Sequence, residues 1–207
     1  MIAIVDYNAG NLTSVTLALQ KLGCEGQVTQ DPEVVRSAGR VIFPGVGAAG
    51  TAMQHLKALG LGDAVRDAVA AGAPTLGICL GTQVIFEHSE ENDTPCLGLL
   101  PGEVRRFRLN DPPGGVHYKI PQMGWNSVEF VREHPVSRGI EPGSEFYFVH
   151  SYYPAPAGDD LVAGVTEYGI DFASAVARDN LFAVQFHPEK SGRAGLKLLD
   201  NFLKWKA

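Results

Sequence analysis

In the stretch Thr75-Leu76-Gly77-Ile78-Cys79-Leu80-Gly81-Thr82-Gln83 a short apolar run ends on a cysteine held between two glycines. A strand that turns sharply into a helix lifts a thiol clear of a sheet and exposes it as a nucleophile. The glycines have a mechanical reason. Such a turn brings neighbouring backbone against the nucleophile, and side chains at Gly77 and Gly81 would collide there. A helix N-terminus beneath the sulfur favours its negative form, and the Leu80 N–H points where an oxyanion would develop. By itself the string fits a buried structural cysteine beside two incidental glycines equally well, because free cysteine is commonly buried. Cys24 and Cys96 lack this context and read as packing residues.

A thiol nucleophile needs a base, and the base needs a group that holds its tautomer. Of the six histidines, His187 stands apart. It ends the apolar run Leu181-Phe182-Ala183-Val184-Gln185-Phe186 and is followed by Pro188 and Glu189. Proline stops the ladder and exposes the strand end, where open α/β sheets place their sites. Glu189, two residues on, can project to the same side and reach the imidazole. Alone, His-Pro-Glu is also what a surface histidine beside an acid looks like. His55, His88, His117 and His134 stand in helical or polar loop contexts and read as surface residues. A third segment, Phe43-Pro44-Gly45-Val46-Gly47, runs from a strand into a flexible turn whose backbone N–H groups could complete an oxyanion hole; as an isolated string it is an ordinary strand-to-turn signal.

These segments need a scaffold that brings them to one edge. Ile2–Val5 reads as a buried first strand, followed by a helix from Leu12 to Leu22 with Gly23 as its cap. A weaker strand near Gln27–Thr29 and a helix start at Asp31-Pro32-Glu33 come next. The spacing then predicts a strand over Arg40–Phe43 broken by Pro44-Gly45-Val46-Gly47, a helix over Leu61–Ala71, a strand over Thr75–Ile78 and a helix over Leu80–His88. That alternation predicts a parallel sheet with helices on both faces. From about Leu97 the rhythm changes: Gly and Pro are dense between Asn110 and Pro121. The segments Ser127–Val131, Phe146–Tyr152, Leu161–Thr166, Ala173–Arg178 and Leu181–Phe186 are strand-like without long helices between them, and read as antiparallel or mixed strands extending the sheet. A last helix begins near Ser191 or Gly192, with Leu196, Leu199, Phe202 and Leu203 on one face. The expectation is an α/β fold, a single three-layer α/β/α domain over residues 1–207 with a mostly parallel central sheet extended by antiparallel strands.

Composition bounds the rest. The chain has 207 residues, of which 45% are hydrophobic and 19% charged, enough to bury a core without disulfide or metal. The formal net charge is −6, and the short Arg105-Arg106-Phe107-Arg108 cluster is not the basic face that a phosphate backbone requires, which argues against nucleic acid. Three cysteines match neither a metal knuckle nor a disulfide framework, so no metal and no cofactor are expected. No basic segment followed by a long apolar one opens the chain, and no apolar run approaches the roughly 20 residues that span a bilayer. A cytoplasmic protein with reduced thiols and no membrane partner is the expectation.

Taken together, Pro44-Gly45-Val46-Gly47, Gly77-Ile78-Cys79-Leu80-Gly81 and Phe186-His187-Pro188-Glu189 resemble, in order and spacing, the triad class of glutamine amidotransferases. Longer strings narrow the resemblance: Asp6-Tyr7-Asn8-Ala9-Gly10-Asn11-Leu12, Lys119-Ile120-Pro121-Gln122-Met123-Gly124-Trp125-Asn126, Tyr147-Phe148-Val149-His150-Ser151-Tyr152-Tyr153 and Gln185 through Ser191 are similar to the glutaminase subunits of imidazole glycerol phosphate synthases, enzymes of histidine biosynthesis. The resemblance implies glutamine hydrolysis through a thioester on Cys79, with His187 passing its proton to the departing ammonia and Glu189 orienting His187. It implies an oxyanion hole from the backbone N–H of Leu80 and of Val46 or Gly47. It carries glutamine contacts to Gly47, Gln83, Glu91, His150, Ser151 and Tyr152, with Glu90 a rival for Glu91. It also implies a separate (β/α)8-barrel cyclase subunit that receives ammonia through a shielded channel, with Asn11, Trp125 and Lys190 at the interface of the heterodimer. As residues alone, these three read as a helix N-cap, a core aromatic and a surface lysine. The chain departs from the family pattern at Gln122, where histidine is frequent, and at Ala48-Ala49, where bulkier residues are frequent.

Other readings stay open. An amidotransferase with the same triad could serve guanosine, anthranilate or pyridoxal synthesis, against which the Lys-Ile-Pro-x-Met-Gly-Trp-Asn string weighs. A cysteine peptidase or stress-response hydrolase would share the elbow without needing Gln83 and Glu189. A degenerate binding subunit would not need all three triad residues.

Overall fold

Backbone amides in an apolar run must find partners within the protein, and short runs such as Ile2-Ala3-Ile4-Val5 find them in a sheet buried on both faces. The computed structural model describes residues 1–10, 12–109, 115 and 117–207. Asn11, residues 110–114 and Val116 lie outside the described residues, and with them the interface position expected at Asn11 and part of the Gly/Pro-dense stretch.

The first half alternates strand and helix: β1 (Ile2–Val5), α1 (Leu12–Lys21), β2 (Gln27–Thr29), α2 (Pro32–Arg36), β3 (Arg40–Gly45), α3 (Ala49–Ala58), α4 (Leu61–Ala70), β4 (Thr75–Cys79) and α5 (Leu80–Gln83). The second half is mostly strand: β5 (His88–Ser89), β6 (Thr94–Pro95), β7 (Gly102–Arg106), β8 (Gln122–Ser127), β9 (Glu129–Phe130), β10 (Glu145–His150), β11 (Tyr152–Pro156), β12 (Val162–Glu167), β13 (Asp171–Arg178) and β14 (Leu181–Val184), before the closing helix α6 (Gly192–Lys204).

The main sheet runs β2-β1-β3-β4-β14-β13-β12-β9. Its first five strands are parallel, and β13, β12 and β9 continue it antiparallel. Side chains alternate across it. Ala3, Val5, Val41 and Phe43 face one core with Leu56 of α3 and Leu61 and Val65 of α4. Ile4, Ile42, Leu76 and Ile78 face the other with Val15 and Leu19 of α1 and Leu198, Leu199 and Phe202 of α6. The three-layer α/β/α expectation describes this arrangement. Not every later strand extends the sheet, however: β8 and β10 form a separate antiparallel ribbon, and β11, β7, β5 and β6 a second small sheet.

Three elements differ from expectation. Helix α3 follows the glycine-rich turn where Ala-Gly-Thr-Ala gave no strong apolar period. The helix after Cys79 lasts one turn, Leu80–Gln83, rather than to His88, and β5 begins at His88. Strand β3 continues through Pro44 and Gly45, paired there with Ile78 and Cys79 of β4. Its pairing with β1 ends at Ile42, so Pro44 meets no strand on that side and its missing N–H leaves no ladder bond unmade.

Helix α6 covers the sheet directly behind the catalytic candidates. Replacing the fully buried Phe202 by alanine is expected to remove about 3–5 kcal/mol of stability, readable as a shift in the urea midpoint with an unchanged slope.

Candidate active site

Parallel pairing of β4 with β14, through Ala183↔Gly77 and Val184↔Ile78, puts the C-terminal ends of both strands side by side. Cys79 caps one end and His187 follows the other. Cys79 sits at φ 52° and ψ −108°, a backbone conformation that non-glycine residues avoid and that marks functional turns. The glycines beside it are required by close packing. A Cβ at Gly81 would stand 1.8 Å from the Phe43 carbonyl oxygen, and one at Gly77 would stand 2.8 Å from Ala183 Cβ. The one-turn α5 aims few free N–H groups at the sulfur, so its dipole contributes less than a full helix would.

His187 Nδ1 lies 2.8 Å from Glu189 Oε1, and the two side chains are 2% and 1% exposed. Burial opposes charge on the ring, but Cys79 and Glu189 outweigh it and hold His187 above its ordinary value. Nε2 has no hydrogen-bond partner at normal geometry, so the influence of Cys79 is one of proximity and charge. The backbone holds the histidine from behind: its N–H donates to the Tyr147 carbonyl at 2.9 Å. Ser191 Oγ donates to the His187 carbonyl at 2.6 Å and accepts from the Tyr147 N–H at 2.9 Å. Among the described residues, the buried side-chain polar atoms without a partner are Tyr7 Oη, Arg40 Nη1, His187 Nε2 and Glu189 Oε2. Two belong to the triad candidates. A third, Tyr7, has its hydroxyl against Gly45, and burial, then the Cys79 charge, raises its pKa. Orphaned polar groups in a folded protein call for an explanation, and function is a common one.

A cavity of about 250 Å³ opens on Cys79. It is lined by Val46, Gly47 and Leu80, and by Gln83, Glu91, His150, Ser151 and Tyr152, together with Pro121 and Val149. Every residue named from sequence for the oxyanion hole and for substrate contact therefore borders one space. Glu90 and Glu91 separate clearly. Glu90 turns to the Arg106 N–H (2.7 Å) and the Arg108 guanidinium (3.1 Å), whereas Glu91 faces the cavity and accepts from the Ala49 N–H at 2.7 Å. Ala48 offers no side-chain cap to α3, and the distant Glu91 supplies that acceptor, fixing the helix directly after the Val46-Gly47 turn. A larger cleft of about 830 Å³ lies among α3, α4 and residues 92–97, and contains none of the triad candidates.

His150 is held by a polar relay. Its Nδ1 donates to the Tyr152 carbonyl at 2.7 Å. Burial, opposed by that bond and aided by His187, depresses its pKa to about 4, so the ring is neutral. Nε2 must then accept; the Gln122 atom 2.9 Å away stands as Oε1, and since the two ends of an amide are alike in shape, the neutral ring requires the NH2 end there. The Tyr152 carbonyl thus sets the His150 tautomer, and Gln122 answers it.

Of the expected interface positions, Trp125 and Lys190 lie on one surface. Trp125 is not a core aromatic: it is 55% exposed and its neighbour Met123 65%. Trp125 pairs across the ribbon with Tyr147, ring centroids 6.1 Å apart, and Lys190 Nζ stands 5.9 Å over the Tyr147 ring. His134, read as a surface residue, is half-buried, packed on Phe182 and Trp205. His55 is also half-buried, with Nδ1 3.0 Å from the Tyr7 carbonyl. Among the described residues no cluster of three metal-ligating side chains occurs, and no helix is long and apolar enough to cross a membrane.

Sequence reasoning missed Gln185 and Ser191. Gln185 is fully buried, between Gln83 and the Cys79 sulfur. The signal was there as a lone polar residue interrupting the apolar run before His187.

A profile of the class-I glutamine amidotransferases matches residues 3–205. The chain is 52% identical to the imidazole glycerol phosphate synthase subunit HisH of Thiobacillus denitrificans, covering 99% of this chain and 91% of that protein. It is 52% identical to the subunit of the same name from Nitrosomonas europaea, covering 99% and 98%. Among solved structures, a glutamine amidotransferase aligns with a TM-score of 0.76 at 20% identity over 99% of this chain and 98% of that one. A chain of the PurLQS structure from Thermotoga maritima aligns at 0.73 and 17%, over 98% and 97%. At those identities the structures speak to fold alone.

Two histidines make stability pH-dependent. His150 and His134, the latter through burial and then Arg132, are each depressed to about 4, whereas an unfolded histidine titrates near 6.5. Between those values the unfolded chain binds more protons at these two positions, so their contribution to stability is complete above about pH 6.5 and falls as pH drops toward 4. Urea titrations across that range should show the decline, and His134→Gln should flatten it.

Proposed function

The chain belongs to the class-I glutamine amidotransferase family, and from that premise we propose that it is the ammonia-producing subunit of an imidazole glycerol phosphate synthase in histidine biosynthesis. The observation that carries the chemistry is the placement of Cys79 and the His187–Glu189 pair at the adjoining ends of β4 and β14, with Cys79 opening on a cavity lined by Gln83, Glu91, His150, Ser151 and Tyr152.

Glutamine enters that cavity with its side-chain amide toward Cys79. The sulfur attacks the amide carbon, and the carbonyl oxygen takes up charge that the N–H of Leu80 and of Val46 or Gly47 stabilise. His187, which keeps its proton above the ordinary histidine range, gives that proton to the departing nitrogen. Ammonia leaves and a Cys79 thioester remains. Water, deprotonated by the now neutral His187, releases glutamate and restores the thiolate–imidazolium pair. Glu189 fixes the tautomer and offsets the charge on the ring. The cavity is smaller than the roughly 300 Å³ at which drug-sized pockets begin, which suits a single amino acid and speaks against a peptidase.

The surface of Met123, Trp125, Tyr147 and Lys190 is the docking face for the (β/α)8-barrel cyclase, which takes the ammonia through a closed channel in the cytoplasm. Large exposed apolar side chains in a cluster mark such interfaces. The Tyr147 carbonyl also accepts the His187 N–H, so a partner seated here bears directly on the catalytic histidine. The identity of the relatives, near half over the whole length, supports this partner over those of the other triad amidotransferases.

In the complex, Cys79→Ala is expected to abolish glutamine-dependent synthesis while synthesis from added ammonium survives; loss of both would refute the division of labour. Trp125→Ala should weaken association by roughly 2 kcal/mol or more, the range of an interface hot spot, measurable by calorimetry against the cyclase.

A further inference from the structure

The polarity of two buried amides can be read from one carbonyl. The Tyr152 carbonyl only accepts, and Gln83 Nε2 lies 3.0 Å from it, so that end of the Gln83 amide is its NH2. The same nitrogen lies 3.0 Å from the Gln185 side-chain amide, which must answer with its oxygen. The opposite end of Gln185 is then its NH2, and it faces Cys79 Sγ at 3.7 Å, a length that suits the large sulfur atom. Gln185 is fully buried, and its backbone N–H donates to the Ser174 carbonyl at 2.9 Å. The Gln185 amide itself is closed off from solvent. The relay therefore presents a donor, and not an acceptor, to the nucleophile.

Resting on the reading of Cys79 as the nucleophile, we propose that Gln185 is a further catalytic residue, whose amide N–H holds negative charge on the Cys79 sulfur before attack and receives it again when the thioester breaks. His187 alone would have to stabilise that charge while also surrendering its proton. A neutral donor on the second side shares that charge before the sulfur attacks and again as the thioester breaks, without giving up a proton. The other groups around the sulfur are His187 with Glu189 behind it, the Tyr7 hydroxyl beside Gly45, and Glu91 across the cavity; among these Gln185 is the uncharged donor fixed in direction by its own partners.

The test is the pH profile of Cys79 carboxamidomethylation by iodoacetamide, followed by peptide mass spectrometry on the full chain in complex with its cyclase. Gln185→Leu removes the donor, and Gln185→Glu keeps the shape and the bond to Gln83 while turning an acceptor toward the sulfur. Alkylation near neutral pH should slow about tenfold in Gln185→Leu, the effect of a one-unit displacement, with the profile moved to higher pH, and further in Gln185→Glu. A packing role alone would lower the melting temperature and leave the profile in place. Profiles that superimpose on wild type in folded variants overturn the proposal, and if Gln185→Leu does not fold, Gln185→Glu decides it. Failure of the underlying reading looks different: Cys79→Ala would still hydrolyse glutamine, whatever the Gln185 profiles show.

Discussion

The pairing of β4 with β14 is the contact from which the site follows. These strands lie far apart in sequence and side by side in the centre of the sheet, and both end at the same edge. Because they run parallel, the residue after each is delivered to one place: sulfur from the first, imidazole and carboxylate from the second. The register is tight, since Gly77 faces Ala183 with no room for a side chain between them. The burial of His187 and Glu189 follows from the same pairing, and burial gives their 2.8 Å contact its strength, because charge is poorly screened in a dry interior.

Around that pair the structure adds shells of polar restraint. Ser191 and the Tyr147 backbone clasp His187, the Tyr152 carbonyl sets the tautomer of His150 and Gln122 answers it, Glu91 fixes the start of α3, and Gln83 orients Gln185. Each of these bonds sets a donor against an acceptor, so each holds its neighbour in one orientation. Such preorganisation aims donors at charge that has yet to develop. The unpartnered Tyr7 hydroxyl and Glu189 Oε2 stand out against it, and both lie where the Gly45–Gly47 turn approaches the triad.

Much of this was legible in the chain. The parallel strands are uninterrupted apolar runs, and Gly-x-Cys-x-Gly and His-Pro-Glu each stop a strand with residues that a strand interior disfavours. What escaped was set by tertiary partners. Helix α3 has small residues and a weak apolar period, and its N-terminus is capped from 42 positions away by Glu91. The helix after Cys79 is cut to one turn because Glu87, where a longer helix would run, instead carries the chain into the small β5–β7 sheet. Strand β3 runs through Pro44 because β1 has already ended. Trp125 reads as core from its type alone; only the ribbon formed with β10 shows it turned outward.

The chemistry requires the Cys79 sulfur to be the attacking atom. Treating the complex with a chloroketone analogue of glutamine and mapping the modified peptide tests this directly. The structure predicts a single covalent adduct on Cys79, prevented by excess glutamine. An adduct on Cys96 instead, whose half-buried thiol is pushed up to about 11 by burial and which borders the larger cleft, with Cys79 left free, would contradict it.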